Sequence, residues 1–94
     1  GYWENEDLVR FDKEEFYASV YLRPGSKMML SVTNWLPDDR SVEVSLNLQE
    51  IGIPQSALKL EDGITGDVLT APNGTMKLEV AGDGYRLIKL WKED

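Results

Sequence analysis

The stretch Val42–Leu48, written VEVSLNL, decides the fold class of this chain. Its apolar side chains occupy every second position and alternate with Glu43, Ser45 and Asn47. A period of two is typical of a β-strand that turns one face to a core and the other to water. Because each apolar face must be buried against another one, strands of this kind predict two packed sheets.

The same alternation recurs along the whole chain, and turn residues separate the alternating stretches. The further predicted strands are Phe16–Leu22, Met28–Thr33, Leu58–Glu61, Met76–Val80 and Tyr85–Trp91, and the turns between strands fall at Arg23–Ser26, Leu36–Asp39, Gly63–Gly66, Pro72–Gly74 and Gly82–Gly84. Tyr85–Trp91 is apolar on both sides, as expected of a more central strand. About seven to eight short strands at this spacing predict an all-β, antiparallel β-sandwich of the immunoglobulin-like kind.

Two stretches depart from the strand pattern. Leu48–Pro54 has no period of two, and we expect it to cross from one sheet to the other. Asp12–Glu15 is the only stretch that predicts a helical turn. No repeat or change of composition divides the chain, so we expect residues 1–94 to form a single β-sandwich domain. The start at Gly1, without an initiator Met, favours a domain taken from a longer chain.

Composition excludes several classes of function. The 94 residues contain no Cys and no His, which excludes disulfides, thiolate or imidazole metal sites and His-dependent catalysis. Ten Lys and Arg against 17 Asp and Glu give a net charge of −7, which opposes binding to nucleic acid. No apolar run is long enough to span a membrane. We therefore expect no cofactor, no nucleic acid and no membrane among the partners.

The acidic residues do not form a recognisable catalytic or metal-binding set. Glycoside hydrolysis needs two carboxylates held in one cleft, whereas the acids here fall on the polar faces of strands and in turns. Asp38 with Asp39, or Asp62 with Asp67, supply too few oxygens for calcium, and the Asp-x-Asp-x-Asp-Gly spacing is absent. We predict no catalytic residue and no metal ligand, and we interpret these acids as surface and turn residues.

The aromatic residues are the most informative candidates for binding. Trp35 follows a strand end, where a loop would expose it, and Tyr17 and Tyr21 lie on the polar side of a strand. Together Trp35, Tyr17 and Tyr21 could stack against sugar rings. The alternative is that these rings cover the edges of the sandwich or are buried against a neighbouring domain.

The order of strands and turns also resembles a known family. Tyr2-Trp3, Ala18–Tyr21, Arg23–Gly25 and Leu30–Asn34 resemble the C-terminal β-sandwich of bacterial glycoside hydrolases, and so do Val42–Leu48, Ile51–Ile53, Asp62 with Thr65–Gly66, and Tyr85–Leu90. The likeness covers nearly the whole chain, and it is a likeness of strands and turns with no catalytic motif. In such enzymes this module follows a (β/α)₈ barrel and packs against it.

The resemblance implies a non-catalytic accessory domain that stabilises an upstream catalytic barrel in the same chain. The catalytic carboxylates of the family lie in the barrel, so none is transferred to this sequence. Tyr2 and Trp3 would lie at the junction with that barrel, and the parent enzyme would be secreted, periplasmic or on the cell surface. Two alternatives stay open: a carbohydrate-binding module, and a protein-interaction domain that adds a partner strand to a sheet edge.

Overall fold

A computed structural model describes residues 8–94. These residues include eight strands, one short α-helix and two short 3-10 helices at Gln55–Ala57 and Pro72–Gly74. The strands are β1 (Val9–Phe11), β2 (Phe16–Arg23), β3 (Lys27–Asn34), β4 (Arg40–Leu46), β5 (Leu58–Asp62), β6 (Val68–Leu69), β7 (Thr75–Val80) and β8 (Tyr85–Lys92), and the helix is α1 (Leu48–Ile51). All strand pairs are antiparallel. The predicted antiparallel β-sandwich is therefore confirmed.

The strands form two sheets of different size. A three-stranded sheet has the order β1-β4-β7, and a five-stranded sheet has the order β2-β3-β8-β5-β6. β8 lies between β3 and β5, which confirms the more central position predicted from its two apolar sides. In the larger sheet, consecutive strands β2 and β3 form a hairpin, whereas β8 pairs with strands far from it in the sequence.

The inner faces of the two sheets form one apolar core. The larger sheet contributes residues that are buried at every second position, and the smaller sheet meets them with a matching set. The buried core comprises Phe16, Ala18, Met28, Leu30, Val32, Leu60, Ile88 and Leu90 from the five-stranded sheet and Val9, Val42, Val44, Leu46, Met76, Leu78 and Val80 from the three-stranded sheet. Every outward position of a strand is consequently fixed by its buried neighbours.

The turns follow the sequence prediction closely. Gly25 has a φ of 73°, the left-handed value that a type II turn requires at its third residue, and Ser26 N–H donates to the carbonyl of Arg23. The stretch 48–54 does cross from the smaller sheet to the larger one. It contains α1, which begins after Asn47 and ends at Gly52 with a φ of 84°.

The predicted helical turn at Asp12–Glu15 is wrong, because these residues form a bend and turn between β1 and β2. The Asp12 carboxylate accepts a hydrogen bond from Glu43 N–H at 2.9 Å, and Asp12 N–H donates to the Glu43 carbonyl at 3.2 Å. These bonds extend the pairing of β1 with β4 within the smaller sheet, so Asp12 pairs with β4 and not within a helix.

Candidate functional site

The outer face of the five-stranded sheet is rich in aromatic and apolar side chains. The register places its outward residues in four rows across the strands, and we call this surface the aromatic face. Its rows are Tyr17-Thr33-Tyr85, then Ser19-Ser31-Leu87, then Tyr21-Met29-Lys89-Glu61-Val68, and finally Arg23-Lys27-Trp91-Lys59. None of these side chains is fully buried in the described chain.

The outer face of the three-stranded sheet has the opposite character, and we call it the polar face. Its outward residues are all polar or charged, namely Arg10, Ser41, Glu43, Ser45, Thr75, Lys77 and Glu79. Ser41 Oγ donates to Glu79 Oε1 at 2.8 Å, and Glu43 lies opposite Lys77. The polar side chains of this face can pair with one another and with water. The contrast shows that only one of the two outer faces has the composition of a contact surface.

The three predicted sugar-stacking residues lie on the same side of the five-stranded sheet, but Tyr21 is two rows away from Tyr17 and further still from Trp35. Tyr17 and Tyr21 are 51% and 57% exposed, and they lie four residues apart on β2. Trp35 is 67% exposed, and its N–H donates to the Glu15 carbonyl at 3.2 Å, which extends the β2–β3 pairing by one residue pair. By the alternation of the strand, Trp35 continues on the side of Thr33 and therefore lies next to the first row. Their role in sugar binding stays a prediction.

The predicted interface residues Tyr2 and Trp3 lie outside the described residues. Sequence reasoning also missed several members of the aromatic face, above all Tyr85, which is 58% exposed, and the half-buried Met29 and Trp91. The stretch Tyr85–Trp91 was recognised as a strand with apolar residues on both sides. What the sequence did not show was the pairing of β8 with β3, which brings Tyr85 and Trp91 next to β2.

A groove runs across the third and fourth rows of the aromatic face. It has a volume of about 360 Å³. Its lining includes Tyr21 of β2, Trp91 of β8 and Met29 of β3, the strand that lies between those two. Lys27 and Lys89 also line it, together with Glu61. The groove thus combines two aromatic rings with two ammonium groups.

Asp62 is the one buried carboxylate among the described residues, and its contacts are structural. Its Oδ1 accepts hydrogen bonds from the N–H groups of Ile64 and Thr65, both at 2.8 Å, and its Oδ2 accepts one from Arg86 Nε at 3.0 Å. The two backbone donors hold the pKa of Asp62 below its ordinary value, and Arg86 lowers it further. Burial has the opposite effect on this pKa, but the hydrogen bonds and Arg86 together outweigh it. A carboxylate held ionised in this way is poorly suited to act as a general acid.

The other acids considered as metal ligands also have turn-stabilising contacts. Asp39 Oδ1 accepts a hydrogen bond from Gly82 N–H at 3.0 Å, and Asp38 pairs with Arg40 at 3.2 Å. Across residues 8–94, no group of three or more acidic side chains is arranged to hold a metal ion. No helix in this range is long and apolar enough to cross a membrane.

The family of the chain follows from comparison with family models. Residues 1–71 match the model for the C-terminal domain of glycoside hydrolase 123, which is more than half of the sequence. The chain belongs to this glycoside hydrolase 123 C-terminal domain family. The match confirms the resemblance drawn from the strands and turns, and it names the glycoside hydrolase family. A search of curated proteins found no match.

A solved structure contains a region with the same architecture as this chain. The chain is similar to part of a "putative alpha-N-acetylgalactosaminidase" from Bacillus halodurans C-125, with a TM-score of 0.65 and 18% sequence identity. The similarity covers 93% of this chain and 20% of that chain. At this identity the likeness concerns the fold. This domain spans about one fifth of the length of that larger protein.

Proposed function

We propose that this domain is a non-catalytic accessory module of a larger glycoside hydrolase, and that it packs against the catalytic domain through the aromatic face. The observation that carries the proposal is the contrast between the two outer faces. Exposed, contiguous apolar surface is typical of a contact site, and interfaces between domains of one chain typically bury about 600–1,500 Å². Covering the aromatic face would remove Tyr17, Tyr21 and Tyr85 from water and so stabilise both domains.

The placement of the acids supports a non-catalytic role. Three grooves in the described part of the chain have one carboxylate each among their lining residues, which is Glu61 in two of them and Glu43 in the third. Hydrolysis of a glycosidic bond by the usual route requires two carboxylates on opposite sides of the bond. The catalytic pair of the parent enzyme is accordingly proposed to lie in its catalytic domain.

Deletion of the domain from the parent enzyme tests this proposal. We expect the truncated enzyme to unfold at a lower temperature and to lose activity faster on incubation, with the same KM for a small substrate while it remains folded. A truncated enzyme with unchanged unfolding temperature and half-life would contradict the stabilising role. A large increase in KM would instead indicate that the domain contacts substrate.

Carbohydrate binding is the second candidate function, and one observation favours it. Tyr17 and Tyr85 flank Thr33 in one row, about 10 Å apart at the backbone, with the exposed Trp35 beside them. A titration of the labelled domain with soluble glycans, followed by the indole N–H signals of its tryptophans, tests this function. Saturable shifts of Trp35 would support sugar binding, and unchanged signals at millimolar glycan would exclude it for the glycans used.

A further inference from the structure

The aromatic face is cationic at one end, although the protein as a whole is acidic. The third and fourth rows contain Arg23, Lys27, Lys59 and Lys89 against one acid, Glu61. The whole chain, by contrast, has 17 acidic and 10 basic residues. Four cations on one surface of such a protein are therefore a local concentration of positive charge.

Most of these cations have no ionic partner within the described chain. Lys59 Nζ pairs with Glu93 Oε2 at 3.0 Å. Within residues 8–94, no ion pair involves Arg23, Lys27 or Lys89, although Glu61 lies opposite Lys89 in the strand register. All three side chains are exposed to water. Covering the aromatic face would remove that water, and unpaired charges are costly to bury.

We infer that the surface of the catalytic domain that covers the aromatic face is acidic opposite its third and fourth rows, with a carboxylate placed in the groove between Lys27 and Lys89. The inference rests on the proposed docking and adds the chemistry of the partner surface. Tyr21, Met29 and Trp91 line the groove together with Lys27 and Lys89, so a carboxylate seated there would be shielded from water once the face is covered. Shielding strengthens the attraction between the opposite charges.

The extent of the face favours a protein surface over an anionic sugar as the occupant. The groove of about 360 Å³ alone would accept a single acidic sugar ring. The exposed aromatic residues, however, continue to Tyr17 and Tyr85, three rows or about 20 Å along the strands from Trp91. A ligand confined to the groove would leave this neutral end of the face uncovered.

Zero-length carbodiimide cross-linking of the complete parent enzyme tests the inference, because the reagent joins an ammonium group to a carboxylate in contact with it. We expect Lys27 or Lys89 to be joined to an Asp or Glu outside residues 1–94. Lys77, which is exposed on the polar face opposite Glu43, is the internal control and is expected to join only to acids of this domain. Labelling with an amine-reactive ester, compared between the parent enzyme and this chain alone, is expected to lose Lys27 and Lys89 but retain Lys77.

The outcomes separate this inference from the proposed function. If Lys27 and Lys89 are labelled equally in both proteins while deletion of the domain still lowers the unfolding temperature, docking uses another surface and the inference fails alone. Protection of both lysines without a cross-link to an external acid would also overturn it, since the cover would then lack carboxylates. Saturable binding of glucuronic acid or a sulfated disaccharide to this chain, lost in Lys27→Glu and retained in Arg10→Glu, would assign the groove to a sugar instead.

Discussion

Asp62 connects the end of β5 to the turn that follows it and, through Arg86, to the opposite sheet. Arg86 donates from Nε to Asp62 Oδ2 at 3.0 Å and from Nη1 to the carbonyl of Glu79 at 2.9 Å. Glu79 belongs to β7 in the three-stranded sheet, whereas Asp62 and Arg86 belong to the five-stranded sheet. The carboxylate therefore orients a guanidinium that links the two layers, and its charge contributes to stability.

Asp62→Asn is expected to lower the free energy of unfolding at pH 7 by about 1.5–3 kcal/mol, because hydrogen bonds to a charged group are lost or weakened. The pKa of Asp62 is lower in the folded than in the unfolded protein, so its contribution is complete above the ordinary Asp pKa of about 3.9 and is lost as pH falls through the lowered folded value. Denaturant unfolding between pH 3 and pH 7 should therefore show the gap between wild type and variant narrowing only below about pH 4. A gap that is constant over this range would contradict the role of the charge; Asp67→Asn, which changes an exposed acid nearby, is the control.

Asn34 is a second residue with a decisive polar role, since its side chain is fully buried at the end of β3. Its amide nitrogen contacts the carbonyls of Asp38, Val80 and Ala81 at 2.8, 3.1 and 3.3 Å, and its oxygen accepts from Leu36 N–H at 2.9 Å. Asn34→Ala leaves these backbone groups without that partner, so we expect a loss of at least about 2 kcal/mol in the free energy of unfolding. Ser19→Ala on the exposed side of β2 should change it by less than about 0.5 kcal/mol, and equal effects of the two changes would be evidence against this role.

At the scale of elements, the β3–β4 turn and the β7–β8 turn pack directly against each other. Asp83 N–H donates to the Leu36 carbonyl at 2.7 Å, and a Cβ atom at Gly82 would lie 1.9 Å from the carbonyl oxygen of Pro37. The neighbouring atoms are backbone and have little freedom to move. This close approach brings together two turns that are more than 40 residues apart in the sequence, at the end of the sandwich next to Trp35.

Gly82→Ala is therefore expected to destabilise the domain strongly, by more than about 3 kcal/mol, because the two turns must separate. Gly25→Ala provides the matched comparison. Its φ of 73° strains an L-residue by about 1–2 kcal/mol, but the added Cβ would lie an ordinary 3.8 Å from the Gly52 carbonyl oxygen across the fold. Thermal unfolding of both variants measures the difference. If Gly82→Ala were no more harmful than Gly25→Ala, the contact between the turns would be looser than the structure shows.

The elements that the sequence predicted are those with a repeated local signal. Strands of five or more residues alternate long enough to be recognised, whereas β1 and β6, with three and two residues, do not. α1 was missed although it carries a signal: Asn47 accepts a hydrogen bond from Glu50 N–H at 3.3 Å, and Gly52 ends the helix in a left-handed conformation. Asn followed three residues later by Glu, and then by Gly, is typical of a short capped helix.

The candidate site was predicted only in part, for a reason that lies in the strand order. Trp35, Tyr17 and Tyr21 come from one hairpin, so the local alternation was sufficient to place the two tyrosines on one side. Tyr85, Trp91 and Lys89 join them because β8 pairs with β3, a contact between residues more than 50 positions apart. Nothing in the local pattern specifies that pairing, and the cationic groove depends on it.

At the scale of the whole molecule, the compositions of the two outer faces indicate that the two sheets have different surroundings. The polar face suits water, and its residues pair with one another across the strands. The aromatic face has a groove, exposed rings and unpaired cations, which together suit a second protein surface. A domain built in this way is expected to gain stability from its neighbour as well as to contribute it.

The double change Tyr17→Ser and Tyr85→Ser tests this expectation in full. In this chain alone both rings are more than half exposed, so their replacement should alter the free energy of unfolding by no more than about 1 kcal/mol. In the parent enzyme the same two rings would be buried, and the loss of central aromatic contacts typically costs about 2 kcal/mol or more. We therefore expect the unfolding temperature of the parent enzyme to fall distinctly, while that of the separate domain changes little. A matched double change on the polar face, Ser45→Ala with Thr75→Ala, should leave both proteins nearly unaffected. If the tyrosine variant were equally stable in the two contexts, the aromatic face would not be the docking surface, and the exposed rings would be free for another ligand.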